Sequence, residues 1–339
     1  MDKITYTLPK ELIAQFPSDQ RDGCKLLHLE RDSDKLSEYE FGDLTKLLGE
    51  GHLLVINDTM VRKARLFGVG SQSGRRCELF LLEKLSDEEW ICMARPGKKA
   101  KVGNRFYLSA KEYCEVLEVL PDGSRRVNFV GASADDLMDK YGHMPLPPYI
   151  RREDIALDKK MYQTVYAREG FSIAAPTAGL HFTEKLLDKL KQKGVEIVNI
   201  RLDVGRGTFK PVEAKSYERH KMDAEEYWID KKAAKAINKA RKDGRKIVAV
   251  GTTVVRALES SVAKHGEVKA EHDETELFIY PGYEFKIVDQ LITNFHLPGS
   301  TLLAMVAALS SRDQILQAYE FAIKNGYRFY SYGDAMYIS

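Results

Sequence analysis

Long apolar runs, paired cysteines and the common cofactor loops are all missing from this 339-residue sequence. The longest purely apolar run, Leu302 to Leu309, falls far short of the ~20 residues that a membrane helix needs. Met1 to Tyr6 lacks the basic and apolar regions of a signal peptide, so a cytoplasmic location without membrane contact is expected. The four cysteines, Cys24, Cys77, Cys92 and Cys114, show no Cys-x-x-Cys spacing. That argues against structural zinc and for small buried side chains in a reducing compartment.

No Walker loop, Gly-x-Gly-x-x-Gly, Gly-x-Ser-x-Gly or His-Glu-x-x-His is present, which removes the usual phosphate, dinucleotide, hydrolase and zincin readings. His220, Asp223 and Glu225 bring one imidazole and two carboxylates together without a second histidine. A solvated approach to a helix fits them better than a metal site, and no metal is expected.

Charge is nearly balanced, with 52 Lys and Arg against 50 Asp and Glu, but it is unevenly spread. Residues 62–105 hold 11 basic and 5 acidic side chains, a local +6 that leaves −4 for the rest. The same region reads as short alternating segments bounded by turns, including Pro121-Asp122-Gly123-Ser124, and lacks a long helix. It predicts a basic β-barrel domain over 62–149, inserted into an α/β domain formed by 1–61 and 150–339, whose strands and helices alternate around a mixed sheet with flanking helices. Pro145, Pro147 and Pro148 stiffen the exit, near which Tyr149 could line a cleft.

Within the α/β part, strand ends recur beside small and hydroxyl residues. Ser172 to Thr183 reads as a short apolar strand, a small-residue loop at Pro176, and the start of a helix that stops at Gly194. Gly251-Thr252-Thr253 carries another strand into another helix, on which Arg256 and Glu259 stand at ion-pair spacing. Asp230 and Ser300 are placed to cap helices, Tyr39 to Leu48 reads as a helix, and Glu276 to Tyr280 and Tyr327 to Tyr332 read as strands. Asp58, Thr177, His181, Asp203, Thr208, Thr252, Thr253, Asn294 and His296 gather at strand tips, a set suited to a neutral or cationic organic ligand and to proton transfer without metal.

The blocks Asn57-Asp58-Thr59, Ala94 to Lys98, Leu146 to Ile150, Tyr162 to Tyr166, Ala174 to Thr183, Gly205 to Val212, Val250 to Thr253, Pro281-Gly282-Tyr283, Val288-Asp289, Thr293 to Pro298 and Tyr327 to Met336 span the chain in order. In them the sequence resembles the S-adenosylmethionine:tRNA ribosyltransferase-isomerases of queuosine biosynthesis. The resemblance implies transfer and isomerisation of the ribosyl part of S-adenosylmethionine onto the 7-aminomethyl group of a 7-deazaguanine in the tRNA anticodon, releasing adenine and methionine and giving epoxyqueuosine. It implies S-adenosylmethionine as substrate, no further cofactor, and action as a monomer. For the residues, it implies His181 or His296 as base with Asp58 and Thr177 at the chemistry, and Gly179, Thr208, Thr252, Thr253, Arg256, Tyr283, Asp289 and Asn294 around the substrate. Arg95, Lys98, Lys99 and Tyr149 are implied on the RNA. Several positions depart from the family pattern: Asp203 and Asp223 each stand where the family shows a histidine, Cys24-Lys25 where it shows Ser-Arg, and Lys63 where it shows Pro. They frame an alternative: a paralogue that binds S-adenosylmethionine or RNA without this transfer, or that uses another acceptor.

Overall fold

The computed structural model describes residues 3–71, 73–205 and 216–339. The chain begins with β1 (Lys25–Glu30), β2 (Lys35–Glu40), α1 (Leu44–Leu47), β3 (His52–Asn57) and β4 (Thr59–Val61). It continues through β5 (Arg65–Gly70), β6 (Arg76–Lys84), β7 (Glu89–Arg95), β8 (Arg105–Tyr107), β9 (Tyr113–Val119), β10 (Arg125–Val130), α2 (Ala134–Tyr141) and α3 (Asp158–Met161). The rest comprises β11 (Glu169–Ser172), α4 (Glu184–Gln192), β12 (Glu196–Leu202), β13 (Glu225–Ile229), α5 (Lys231–Lys242), β14 (Lys246–Val250), α6 (Thr252–His265), β15 (Glu271–Thr275), β16 (Gln290–Asn294), α7 (Thr301–Leu309), α8 (Arg312–Lys324) and β17 (Ala335–Ile338).

Two compact units result. The first takes the described residues of Met1–Met60, Pro147–Arg152 and Lys160–Ser339; the second takes those of Val61–Leu146 and Glu153–Lys159.

In the first unit a nine-stranded mixed sheet runs β15-β13-β12-β3-β14-β16-β17-β1-β2. Its centre, β12-β3-β14-β16, is parallel; β13 and β15 add antiparallel pairs on one side, and on the other β17 is antiparallel to β16 and parallel to β1, which pairs antiparallel with β2. Side chains alternate across the sheet, so each central strand feeds two cores. Leu53, Val55, Ile247, Ala249 and Leu291 pack with α5 to α8, whereas Leu54, Ile56, Val248, Val250 and Ile292 pack with α1 and α4. Asp230 caps α5 by accepting from the Ala233 N–H at 2.6 Å, and Ser300 caps α7 by accepting from Leu303 at 3.1 Å. Both caps were legible as residue types that satisfy otherwise unpaired amides.

The second unit is a closed antiparallel barrel, β10-β7-β6-β5-β8-β9. Alternation turns Cys77, Leu79, Leu81, Trp90, Cys92, Cys114 and Val116 inward, all at or below 2% exposure, so three of the four cysteines fill a barrel core.

Three expected elements differ. Tyr39 to Leu48 is divided between the end of β2, a 3-10 turn at Phe41–Asp43 and the single turn of α1, because Gly42 and Asp43 break the helical run. At the opposite sheet margin the strand is Glu271–Thr275 rather than Glu276 to Tyr280. Tyr327 to Tyr332 is not a strand: Tyr330 sits at φ 71° and Gly333 turns back so closely that a Cβ there would lie 2.4 Å from the Arg328 carbonyl.

Candidate active site

Thr177, Thr252, Thr253 and His296 line one crevice together with Ala175, Ala178, Gly251 and Thr293. It lies at the carboxyl ends of β14 and β16, where ligands collect in open α/β sheets. Gly251 makes the turn from β14 into α6 at φ 88°, a conformation that favours glycine, while its N–H donates to the Ile292 carbonyl at 2.8 Å. Thr252 and Thr253 then open α6 with no side chain capping its first amides.

Asn57 braces this corner from the end of β3. Its amide nitrogen donates to the Leu202 carbonyl at 2.9 Å and to Thr253 Oγ1 at 3.3 Å, and its oxygen accepts from the N–H groups of Thr59 and Leu202. The sequence reading passed over it. The available signal was an amide ending an otherwise apolar strand.

Thr177 reaches the crevice from the other side. Ser172 holds the base of its loop, accepting from the Val204 N–H at 2.9 Å and donating to the Ala174 carbonyl at 2.7 Å. A 3-10 turn over Thr177–His181 follows, and Thr183 caps α4 by accepting from the Leu186 N–H at 3.1 Å. Inside that turn a Cβ on Gly179 would lie 2.1 Å from the Tyr166 hydroxyl oxygen, so this glycine is fixed by protein packing.

The two imidazoles are held differently. His296 Nε2 lies 2.8 Å from Thr293 Oγ1, its N–H donates to the Tyr319 hydroxyl at 2.9 Å, and its carbonyl accepts from Tyr6. Its Nδ1 carries no hydrogen bond among the described residues. His181 uses both nitrogens: Nδ1 is 3.2 Å from Cys24 Sγ and Nε2 is 2.9 Å from the Asn294 amide nitrogen. That amide also donates to the Tyr330 carbonyl at 3.1 Å, so Nε2 accepts and Nδ1–H faces the thiol. His181 lines a separate depression with Arg21 and Tyr332. Burial drives both imidazoles to about 3, and Arg328 and Arg21 add to the effect at His181. Both rings are therefore neutral near pH 7.

Several candidates are committed elsewhere. Arg256 and Glu259, three apart on α6, do not pair. Arg256 is bound to Glu225 and donates to the carbonyls of Leu277 and Thr275, whereas Glu259 accepts from Tyr283 Oη at 3.0 Å and from the N–H groups of Lys286, Ile287 and Val288. Asp289 lies at the start of β16, the opposite end of the sheet from the crevice, and accepts from the Ile247 N–H at 2.8 Å. Asn294 is buried in the His181 cluster. Asp58 accepts from Asn199 at 3.0 Å; burial pushes its carboxyl up, against the pull of that amide and of Arg168. Thr208 lies outside the described residues.

Asp203 takes up both carboxylate oxygens with protein, accepting from Thr59 Oγ1 at 2.5 Å and from the Phe171 N–H at 3.1 Å. It ties β4 and β11 to the end of β12. On the barrel, Arg95 is exposed at the end of β7, and Lys98 and Lys99 line a concavity. Tyr149 belongs to the first unit, with its hydroxyl 2.5 Å from Ser331 Oγ and its ring 4.6 Å from that of Tyr330.

Among the described residues no helix is long and apolar enough to cross a membrane. No group of three or more metal-ligating side chains is clustered among them either.

Comparison with known proteins covers nearly the whole chain. The family model for the queuosine biosynthesis protein matches residues 1–338. The S-adenosylmethionine:tRNA ribosyltransferase-isomerase of Fusobacterium nucleatum is 47% identical over 336 residues, covering 98% of this chain and 95% of that one. That of Halothermothrix orenii is 46% identical over 340 residues, covering 100% and 99%. Among solved structures, an S-adenosylmethionine tRNA ribosyltransferase from Thermotoga maritima matches with a TM-score of 0.57 and 35% identity over 99% of each chain.

Proposed function

The chain belongs to the queuosine biosynthesis protein family, and from that membership we infer that it is an S-adenosylmethionine:tRNA ribosyltransferase-isomerase. It moves the ribosyl part of S-adenosylmethionine to the aminomethyl group of a 7-deazaguanine in the tRNA anticodon and isomerises it to epoxyqueuosine, with loss of adenine and methionine. The observation that carries the reading within the fold is the crevice that unites Thr177, Thr252, Thr253 and His296.

The chemistry fits these groups. A sulfonium acidifies the adjoining C5′ hydrogens and makes methionine a good leaving group, so the chain's own part is a base, hydroxyls that orient the nucleoside, and a water-poor setting. His296 is the better base of the two imidazoles. It is neutral and lines the crevice, and in the tautomer whose Nε2–H donates to Thr293 its Nδ1 is left to take a proton. Thr177, Thr252 and Thr253 hold the ribose and adenine. His181, with both nitrogens occupied, shapes the neighbouring loop.

At Asp203, where the resemblance implies a histidine, the two protein donors support a fastening rather than a redirected site. Action on tRNA fits a cytoplasmic location. Arg95, Lys98 and Lys99 supply the barrel's contribution to RNA binding.

The test is to incubate the protein with S-adenosylmethionine and tRNA bearing the aminomethyl-deazaguanine, then to quantify free adenine, methionine and the modified nucleoside. Equimolar appearance of all three is expected. Absence of adenine release with every tRNA would overturn the assignment.

A further inference from the structure

The second unit holds a concavity of about 250 Å³ with no acidic side chain among the described residues of its wall. Lys98, Lys99, Lys101 and Arg105 surround it, with Asn104 and Ser73 between them. Arg105 is paired with Glu115 at 2.8 Å, but none of the three lysines forms an ion pair with a described residue.

The framework behind these cations is fixed. Arg125 donates to the carbonyls of Gly97 and Ala100 at 2.8 and 3.1 Å, clamping the turn that carries Lys98 and Lys99. Asn104 closes the next turn, its amide donating to the Lys99 carbonyl at 2.6 Å and its N–H to the Lys101 carbonyl at 3.0 Å. The floor is equally tight, since a Cβ on Gly68 would lie 2.8 Å from Phe106 Cβ and one on Gly70 would lie 2.8 Å from Ser73 Oγ.

Like charges packed around one concavity repel, and among the described residues of its wall no carboxylate neutralises the three lysines. An anion with several acceptor oxygens removes that penalty and gives the ammonium, hydroxyl and amide donors their partners. The volume admits a phosphodiester with its sugar. Val102, 62% exposed and next in the chain to Lys101, offers apolar surface for a sugar or base face, and Arg95 is exposed three residues before Lys98. These features favour a polymer backbone over an isolated small anion.

We propose that this concavity is a phosphodiester-binding site that fixes the register of the RNA on the barrel, with Lys98, Lys99 and Lys101 as its charges and Ser73 and Asn104 as its neutral donors. This rests on the reading that the protein acts on tRNA. It separates a built pocket from diffuse basic charge.

The experiment is equilibrium binding of transcribed tRNA to the full chain, followed by fluorescence anisotropy over about a tenfold range of KCl. Replacing Lys98 and Lys101 together by Ala should reduce the slope of log affinity against log salt by about 1.5, at roughly 0.7–0.9 per phosphate contact, and weaken binding about tenfold. The Lys98→Arg, Lys101→Arg double variant should keep most of both. Lys111→Ala, on the same unit but outside the pocket, should leave the slope as in the wild type.

An unchanged slope in the alanine double variant overturns the proposal, as does an equal loss from Lys111→Ala or a failure of the wild type to bind tRNA. A parallel titration uses tripolyphosphate. If the double variant loses tripolyphosphate while its tRNA slope stays at the wild-type value, the pocket serves free anions and the RNA assignment fails. Binding needs no turnover, so the two readings fail separately. A wild type that binds tRNA through these lysines but never releases adenine sinks the catalytic assignment alone; adenine release with an unchanged slope sinks the pocket alone.

Discussion

Thr293 Oγ1 lies 2.8 Å from Nε2 of His296, where the hydroxyl can accept from Nε2–H or donate to a bare Nε2. When Nε2–H donates to Thr293, Nδ1 is left as the acceptor. Thr293→Val removes the partner and keeps the shape.

That substitution should lower the turnover number for adenine release roughly tenfold to a hundredfold, and His296→Gln should lower it by about 10²–10⁴, within the range expected of a general base. The KM for S-adenosylmethionine should move much less in Thr293→Val, because a hydroxyl that orients the base binds no substrate. Wild-type turnover in either variant would remove His296 from the chemistry.

A pH effect on stability follows from the same burial. Both His181 and His296 are driven to about 3 in the folded chain. In the unfolded chain a histidine takes up its proton near 6.5, so between these values the unfolded state binds more protons. Stability therefore falls as pH drops from about 6.5 towards about 3, with a slope of up to about 1.4 kcal/mol per pH unit for each ring. Urea midpoints measured between neutral and mildly acidic pH should show the decline. His296→Gln should flatten it by one ring's share. The same steepness in that variant would show that the ring is not neutral and buried.

The buried charges of α6 make a third prediction. Glu225→Gln strands Arg256, only 3% exposed, and should cost about 3–5 kcal/mol in chemical denaturation, while exchanging both partners for apolar residues of similar volume should cost far less. Glu259→Gln sets an amide NH₂ against a carboxylate site that receives one hydroxyl and three backbone N–H donors, and should cost about 2–4 kcal/mol. Equal stability of Glu225→Gln and the wild type would mean that Arg256 finds another anion.

Much of this architecture could be read from local chemistry. Gly251 between a strand and two threonines, Asp230 and Ser300 at helix starts, and alternation through the barrel each have a short-range physical cause that survives folding. What escaped depends on partners distant in the chain. The spacing of Arg256 and Glu259 suggests one ion pair, yet Glu225 and the 286–288 amides claim them separately. Gly179 looks like room for a ligand, and only the fold shows Tyr166 in that room. Asp289 and His296 are seven residues apart on either side of one strand, so the length of β16 alone decides that they face opposite ends of the sheet. His181 and His296 look alike in sequence. Asn294 and Cys24 distinguish them, and Cys24 lies 157 residues from the ring it meets.

The strand β17 has a bearing on biosynthesis. Among the described strands Ala335–Ile338 alone joins the β1–β2 hairpin to β16, with His28 registered against Tyr337. Some three hundred residues must therefore emerge from the ribosome before the hairpin gains its place, although the hairpin is made almost first. Until then Leu26, Leu27 and Leu29 await cover, and this side of the molecule matures late, by a long-range pairing of the kind that slows folding and exposes chains to aggregation.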